Sequence, residues 1–248
     1  MTHVPEPPAT TGAAWPVALV TGGSRGFGRA IVTHLVRRGW QVVIDGRDTH
    51  ALAETAADLM PGAVVAVAGD VASETHRVAL GAEVARLGRL DLLVNNASTL
   101  GPSPLPSLAT YSLGALADVL AVNTLAPLAL VQEVLPHLVA SDGVVVDVSS
   151  DAAVEAYEGW GGYGAAKAAL DHLTAVLAVE NPRLHWYAFD PGDMRTRMHQ
   201  DAFPGEDISD RPDPETVVPA LLRLLDELPP SGRYRASELA SETVAVAR

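Results

Sequence analysis

The stretch Val17-Ala-Leu-Val-Thr-Gly-Gly-Ser-Arg-Gly-Phe-Gly-Arg-Ala-Ile-Val32 decides how the rest of the chain is read. Val17–Val20 is a short apolar strand, Thr21 to Gly28 is a glycine-rich turn, and a helical pattern opens at its end. Glycines permit a tight turn and let backbone N–H groups approach a pyrophosphate without a Cβ in the way. The helix N-terminus adds a dipole that favours an anion. Between a first strand and a first helix, this turn predicts a nucleotide site. Its spacing is G-x-x-x-G-x-G rather than the commoner G-x-G-x-x-G.

Outward from that turn, short β-branched runs alternate with longer Ala- and Leu-rich segments. The apolar runs are Val17–Val20, Gln41–Ile44, Ala63–Val67, Leu92–Val94, Val144–Val148 and Trp186–Phe189. Helical patterns lie between them, roughly over 27–38, 49–59, 73–87, 112–140 and 161–180. A last helix near 214–228 precedes Gly232-Arg-Tyr-Arg235, a candidate seventh strand. Strands that read as nearly continuous apolar runs are buried on both faces, as in a parallel sheet covered by helices. The alternation predicts one doubly wound, Rossmann-like α/β domain over 15–248, with a parallel sheet of about seven strands. Residues 1–14, rich in Pro, Thr and Ala, are expected to form a disordered lead-in. In an open α/β sheet, ligands bind beyond the carboxyl ends of the strands, so functional residues should follow the strands.

Composition narrows the function classes. The 248 residues are 48% hydrophobic and 19% charged, enough for one large core. A formal net charge of −13, with no basic run, disfavours nucleic acid or an anionic membrane as a partner. The chain has no cysteine, which excludes disulfides, thiolate catalysis and cysteine-metal sites, and no metal ligand set is expected. No Lys or Arg precedes Arg25, so a charged signal region is missing. No uninterrupted apolar stretch approaches the roughly 20 residues that span a bilayer. A soluble cytoplasmic protein is the expectation.

The only lysine of the chain, Lys167, stands four residues after Tyr163 in Tyr163-Gly-Ala-Ala-Lys167. Every other basic side chain, histidines aside, is arginine. The exception points to a task for a compact ammonium on a flexible stem rather than a planar fork. On a helix, i and i+4 share a face, so the phenol and the ammonium can reach one point. A nearby cation favours the phenolate and lowers a tyrosine pKa, one way to make a general acid/base. Taken alone, the pattern also fits a helix-surface pair without chemistry.

Read together, these motifs resemble the short-chain dehydrogenase/reductase family, in its ordinary single-domain form, over nearly all of residues 15–235. The resemblance rests on Thr21 to Gly28, Asp70-Val71 after the third strand, Asn95-Asn96-Ala97-Ser98 after the fourth, and Asn123 in a long helix. It continues with Ser150 after the fifth strand, Tyr163 with Lys167, and Pro191-Gly192 through Thr196 after the sixth. The resemblance implies that Tyr163 is the general acid/base, that Lys167 holds the nicotinamide ribose and tunes Tyr163, and that Ser150 bonds the substrate oxygen. It implies that Asn123 holds a water relaying protons from Lys167. The alternative for Asn123 is a polar group bonding helix backbone. Gly22, Ser24, Arg25, Gly26, Phe27 and Gly28 would line the pyrophosphate. Asp70 and Val71 would meet the adenine, Asn96 and Ala97 would lie along the cofactor, and Pro191, Gly192 and Thr196 would cap the nicotinamide. Asn95 would tie neighbouring strands. Serine stands at 98 where the family usually has glycine.

For cofactor choice, an acid at the end of the second strand selects NAD, and an arginine there accommodates the 2′-phosphate of NADP. In Val43-Ile44-Asp45-Gly46-Arg47-Asp48, the family alignment puts Gly46 at the acid's position and Arg47 at the arginine's. With Arg25 as a second contact, NADP is favoured. A register slip of one residue would make Asp45 an NAD selector.

Three segments are expected to wall a substrate pocket: 98–106, 151–160 with Val154, Tyr157 and Trp160, and a lid at about 193–212 with Met194, Met198 and Phe203. Several of these side chains could equally pack on the core. The reading is an NADP(H)-dependent oxidoreductase acting on a carbonyl or secondary alcohol with an apolar body. NAD-dependent alcohol oxidation and a non-catalytic NADP(H) sensor are the alternatives. Pro182 should end the active-site helix early, and the unusual Gly232–Glu238 leaves the order of a homodimer or homotetramer open.

Overall fold

The computed structural model describes residues 15–239. The expected lead-in at 1–14 lies outside the described residues. Seven strands form one parallel sheet: β1 (Val17–Val20), β2 (Gln41–Gly46), β3 (Val64–Ala68), β4 (Leu92–Asn95), β5 (Val144–Val148), β6 (His185–Asp190) and β7 (Gly232–Arg235). Their order is β3-β2-β1-β4-β5-β6-β7, every neighbouring pair parallel. The chain order reverses between β1 and β4, and the glycine turn and the Asn96–Leu100 loop leave the sheet side by side there.

The helices are α1 (Gly26–Arg37), α2 (Thr49–Ala57), α3 (Glu74–Leu87), α4 (Leu113–Leu120), α5 (Ala126–Ala140), α6 (Gly161–Glu180), α7 (Arg197–Ala202) and α8 (Val218–Glu227). Two cores flank the sheet. Ile31, Leu35, Ile44, Tyr187 and Leu221 fill one face, and Leu80, Leu93, Leu130, Val145 and Trp186 fill the other. Trp186 and Tyr187 go to opposite cores because successive strand residues point to opposite faces. Strands β1, β4 and β5 are buried throughout, as continuous apolar runs should be, whereas β3 is a half-exposed edge.

The helix expected over 112–140 runs from Leu113 to Ala140 and carries a π turn at Ala121–Leu125. That 28-residue run, Leu113–Ala140, has a mean hydropathy of 1.7 and is long and apolar enough to cross a membrane by length and composition. Val119, Leu130, Val131, Val134 and Leu138 of this run are buried in the fold. Helix α6 ends at Glu180, because Asn181 precedes Pro182 and is driven out of the helical region to φ −127° and ψ 66°.

Candidate active site

A cleft of about 1320 Å³ runs along the carboxyl ends of the strands, from Asp48 and Asp70 past the glycine turn to Ser150, Tyr163 and Phe203. Its floor is built by the turn after β1. Gly22 has φ +65° and Gly26 φ +53°, conformations that side chains rarely adopt. A Cβ on Gly28 would run into the Gly22 carbonyl oxygen and the Asn96 amide. The turn therefore closes on itself without side-chain bulk and leaves room above, a cradle that fits a pyrophosphate. Phe27 is buried and stacks on Phe189 with ring centroids 6.2 Å apart, which anchors the start of α1 to β6.

The loop after β4 is fastened to this turn. Thr21 Oγ1 accepts from the amides of Asn96 and Ala97, each at 2.9 Å, and Asn96 Nδ2 donates to the Thr21 carbonyl at 2.8 Å. Asn95 Nδ2 donates to Asp147 Oδ1 at 2.7 Å and so links β4 to β5, as expected. On the adenine side, Asp70 is exposed with Oδ1 accepting from Ala72 N at 2.9 Å, and Val71 is buried beside it.

The two arginines proposed for a 2′-phosphate both line the cleft. Arg47 is exposed and makes no ion pair among the described residues. Arg25 is held by Asp48, Nη2 to Oδ2 at 2.8 Å, while the other Asp48 oxygen caps α2 by accepting from Ala51 N at 3.1 Å. The cap and the Arg25 charge keep the Asp48 carboxyl below its usual range. Sequence reading did not single out Asp48.

At the other end, Tyr163 is buried, and Lys167 lies beneath it, its Nζ 5.7 Å from the Tyr163 ring centroid. Lys167 is 2% exposed and donates to the Val148 carbonyl at 2.6 Å. Burial lowers its ammonium to about 8, opposed by the Asp147 and Asp171 charges. Tyr163 goes the other way: burial pushes the phenol up to about 12, with the Ser150 and Ser98 hydroxyls opposing. Desolvation of the phenolate outweighs the help available to it. The protonated phenol is the form that can donate.

Ser150 follows β5, and its Oγ donates to Asp151 Oδ1 at 3.0 Å while accepting from Ala152 N at 3.2 Å. Tyr157 Oη donates to Asp151 Oδ2 at 3.0 Å, so an acid stands directly beside the serine. Ser149 is buried beneath the site. Asn123, in the π turn, is fully buried with its amide committed: Oδ1 accepts from Thr99 N at 2.9 Å and Ser98 Oγ at 3.2 Å, and Nδ2 donates to Thr99 O at 2.8 Å. The side chain fastens the loop after β4.

Pro191, Gly192 and Thr196 follow β6 along the cleft. Thr196 Oγ1 caps α7 by accepting from His199 N at 3.2 Å, and its methyl would lie 3.6 Å from a Cβ on Gly26. The segment therefore overhangs the glycine turn. Trp160, Met198, Phe203 and Leu105 pack around Leu100 and Tyr163, and Trp160 meets Tyr163 edge-on at 5.7 Å. Met194 lines the cleft and also packs on the main core. Val154 turns to solvent at 56% exposure and is not a wall residue. Ser103 Oγ donates to Asp201 O at 2.6 Å, which fastens the 98–106 loop to the overhanging segment.

Comparison with known proteins agrees with this arrangement. The short chain dehydrogenase family model matches residues 16–207. Sepiapterin reductase of Rattus norvegicus is 35% identical over 199 residues, 74% of this chain and 76% of that protein. A short chain dehydrogenase from Shigella flexneri 2a, solved in complex with NADP, superposes with a TM-score of 0.83 at 29% identity, over 90% of this chain and 97% of that one. One from Escherichia coli CFT073, solved with NADPH, gives 0.83 at 30% identity, over 89% and 96%. With a glycine cradle at the β1/β4 switch point and a buried Tyr163–Lys167 pair across the same cleft, the chain belongs to the short chain dehydrogenase family of oxidoreductases.

Proposed function

We propose that this protein is an NADP(H)-dependent oxidoreductase that interconverts a carbonyl and a secondary alcohol on a small substrate with an apolar body. The observation that carries this reading is that Ser150, Tyr163 and Lys167 meet on the cleft that also runs along the glycine turn. The bound nicotinamide supplies or takes up the hydride. Gly22, Ser24, Arg25, Gly26, Phe27 and Gly28 hold the pyrophosphate, and the two cationic side chains Arg25 and Arg47 bind the 2′-phosphate. Asp70, Val71, Asn96 and Ala97 flank the adenosine, and Pro191, Gly192 and Thr196 cover the nicotinamide end. The complexes of similar proteins with NADP and NADPH support this choice.

Tyr163, a protonated phenol at neutral pH, donates its proton to the substrate oxygen in reduction, and Ser150 donates a hydrogen bond to the same oxygen. Lys167 supplies positive charge under the phenol and a donor at the ribose. Leu100, Trp160, Met198 and Phe203 exclude water and receive the apolar body. Exposed Leu113, Leu125, Val176 and Val179 on the helical surface support a homo-oligomer, which sedimentation would size.

A panel of aromatic aldehydes and diketones with NADPH tests the reading, alongside Tyr163→Phe. The expected result is retained NADPH binding with turnover lowered about 10²- to 10⁴-fold. Turnover surviving in Tyr163→Phe overturns the assignment. NADPH binding by the wild type without turnover on any probe favours a sensor.

A further inference from the structure

The C-terminal strand carries a residue that none of the foregoing uses. Arg233 on β7 is half-buried and reaches back under the active site to three separate segments. Its Nε donates to Asp171 Oδ2 at 3.1 Å, one turn beyond Lys167 on α6. Its Nη2 donates to the Ser150 carbonyl at 2.9 Å and to Asp190 Oδ2 at 2.8 Å. Asp190, the last residue of β6, is 4% exposed, and its other oxygen accepts from Gly192 N at 3.0 Å. One guanidinium thus joins the main chain of the candidate serine, the helix that carries Tyr163 and Lys167, and the turn that carries Pro191, Gly192 and Thr196.

We propose that Arg233 is a positioning residue that holds Ser150, helix α6 and the Pro191–Thr196 turn in one register, so that substrate oxygen, phenol and nicotinamide end align. The proposal rests on the assignment of Ser150 and Tyr163 above. A planar fork suits the task because Nε and Nη2 point at acceptors on different segments, which a single ammonium cannot match. Both carboxylates it meets are largely withdrawn from water, so the contacts are screened little by salt. Parallel pairing of β7 with β6 sets the register, with Ala188 opposite Arg233 and Asp190 opposite Arg235. Arg235 stands near the same acid, Nε to Asp190 Oδ2 at 3.8 Å, and its Nη2 is 3.4 Å from Glu155 Oε1, so it cannot take over the contacts to Ser150 and Asp171.

The test compares wild type with Arg233→Met, Arg233→Lys and Asp171→Asn, using NADPH and 1-phenyl-1,2-propanedione as probes. Backbone amide exchange is read at the same time. In Arg233→Met, exchange should rise about tenfold in 149–153 and 191–196 while the β1–β2 amides stay protected. NADPH affinity should change less than threefold, and kcat should fall roughly 10- to 100-fold, since small misplacements of reacting groups cost that much. Arg233→Lys should recover only part of kcat, and Asp171→Asn should fall between. Unchanged exchange in both segments overturns the proposal, as does a uniform rise across the sheet or full rescue by lysine. If Arg233→Met does not fold, the same exchange pattern is required of Arg233→Lys, and its absence there overturns the proposal. A wild type inactive on the diketone counts against the proposed function alone, because the exchange pattern still judges the clamp.

Discussion

Asp45 and His76 form a buried pair beneath the glycine turn, with His76 Nε2 3.1 Å from Asp45 Oδ2. The other Asp45 oxygen accepts from Gly22 N at 2.6 Å. The acid at the end of β2 is therefore turned into the fold. His76 packs directly under Gly69, where any Cβ would meet the imidazole, so the pair joins the phosphate turn to the loop that carries Asp70. Asp45 is 1% exposed, and each of its oxygens is already engaged, one by Gly22 and the other by His76.

Replacing Asp45 by Ala should therefore destabilise the protein by about 3 kcal/mol, because it strands a buried donor and a buried imidazole. It should weaken NADPH and NADH alike. Urea denaturation with parallel cofactor titrations checks this. A selective loss of NADH would restore Asp45 as a selector.

Arg47→Ala should weaken NADPH by about 2 kcal/mol, roughly thirtyfold in Kd, and leave NADH unchanged. The effect should shrink at high salt, because the side chain is exposed. Fluorescence titration at two ionic strengths measures it. Equal losses for both cofactors would remove Arg47 from the phosphate site.

Asn123→Ala removes three hydrogen bonds from a fully buried side chain. A stability loss of about 2–3 kcal/mol is expected, with faster amide exchange at Thr99. Unchanged stability with lost turnover would instead point to a part in proton transfer.

Lys167 and Tyr163 should leave opposite marks on stability against pH. The Lys167 pKa falls from 10.5 to about 8 on folding, so between these values the unfolded chain binds more protons and stability rises with pH. The Tyr163 pKa rises from 10.0 to about 12, so in that window the native state binds more protons and stability falls. Each swing is on the order of 3 kcal/mol at most. Denaturation at stepped pH should show the first slope vanish in Lys167→Met and the second become shallower in Tyr163→Phe, because the Tyr111, Tyr157, Tyr187 and Tyr234 phenols are raised on folding as well. A wild-type slope that persists in Lys167→Met would mean that another group titrates there.

Much of this protein was legible in the chain itself. Six of the seven strands could be read because their apolar runs leave a local signature, strongest in β1, β4 and β5, which are buried throughout. The glycine turn was legible because its backbone admits few other residues, and Tyr163 with Lys167 because i, i+4 spacing fixes a shared helix face. The seventh strand, Gly232–Arg235, was only a candidate. It lies at the sheet edge, with one polar residue after another and no apolar run to mark it.

The tertiary structure alone decided where side chains of ambiguous sign and reach would point. Sequence placed Asp45 one residue from the selecting position, but only packing against His76 and Gly22 turns it inward. Lys167 stands one helical turn from Tyr163 by spacing alone, yet the balance between desolvation and charge depends on how completely α6 buries both groups against β5. Arg233 reads as an ordinary basic residue in a short strand, and its three partners come from segments 43 to 83 residues away. Local pattern fixes secondary structure and the backbone's special positions. Burial, and which distant groups share it, emerges only when the sheet assembles.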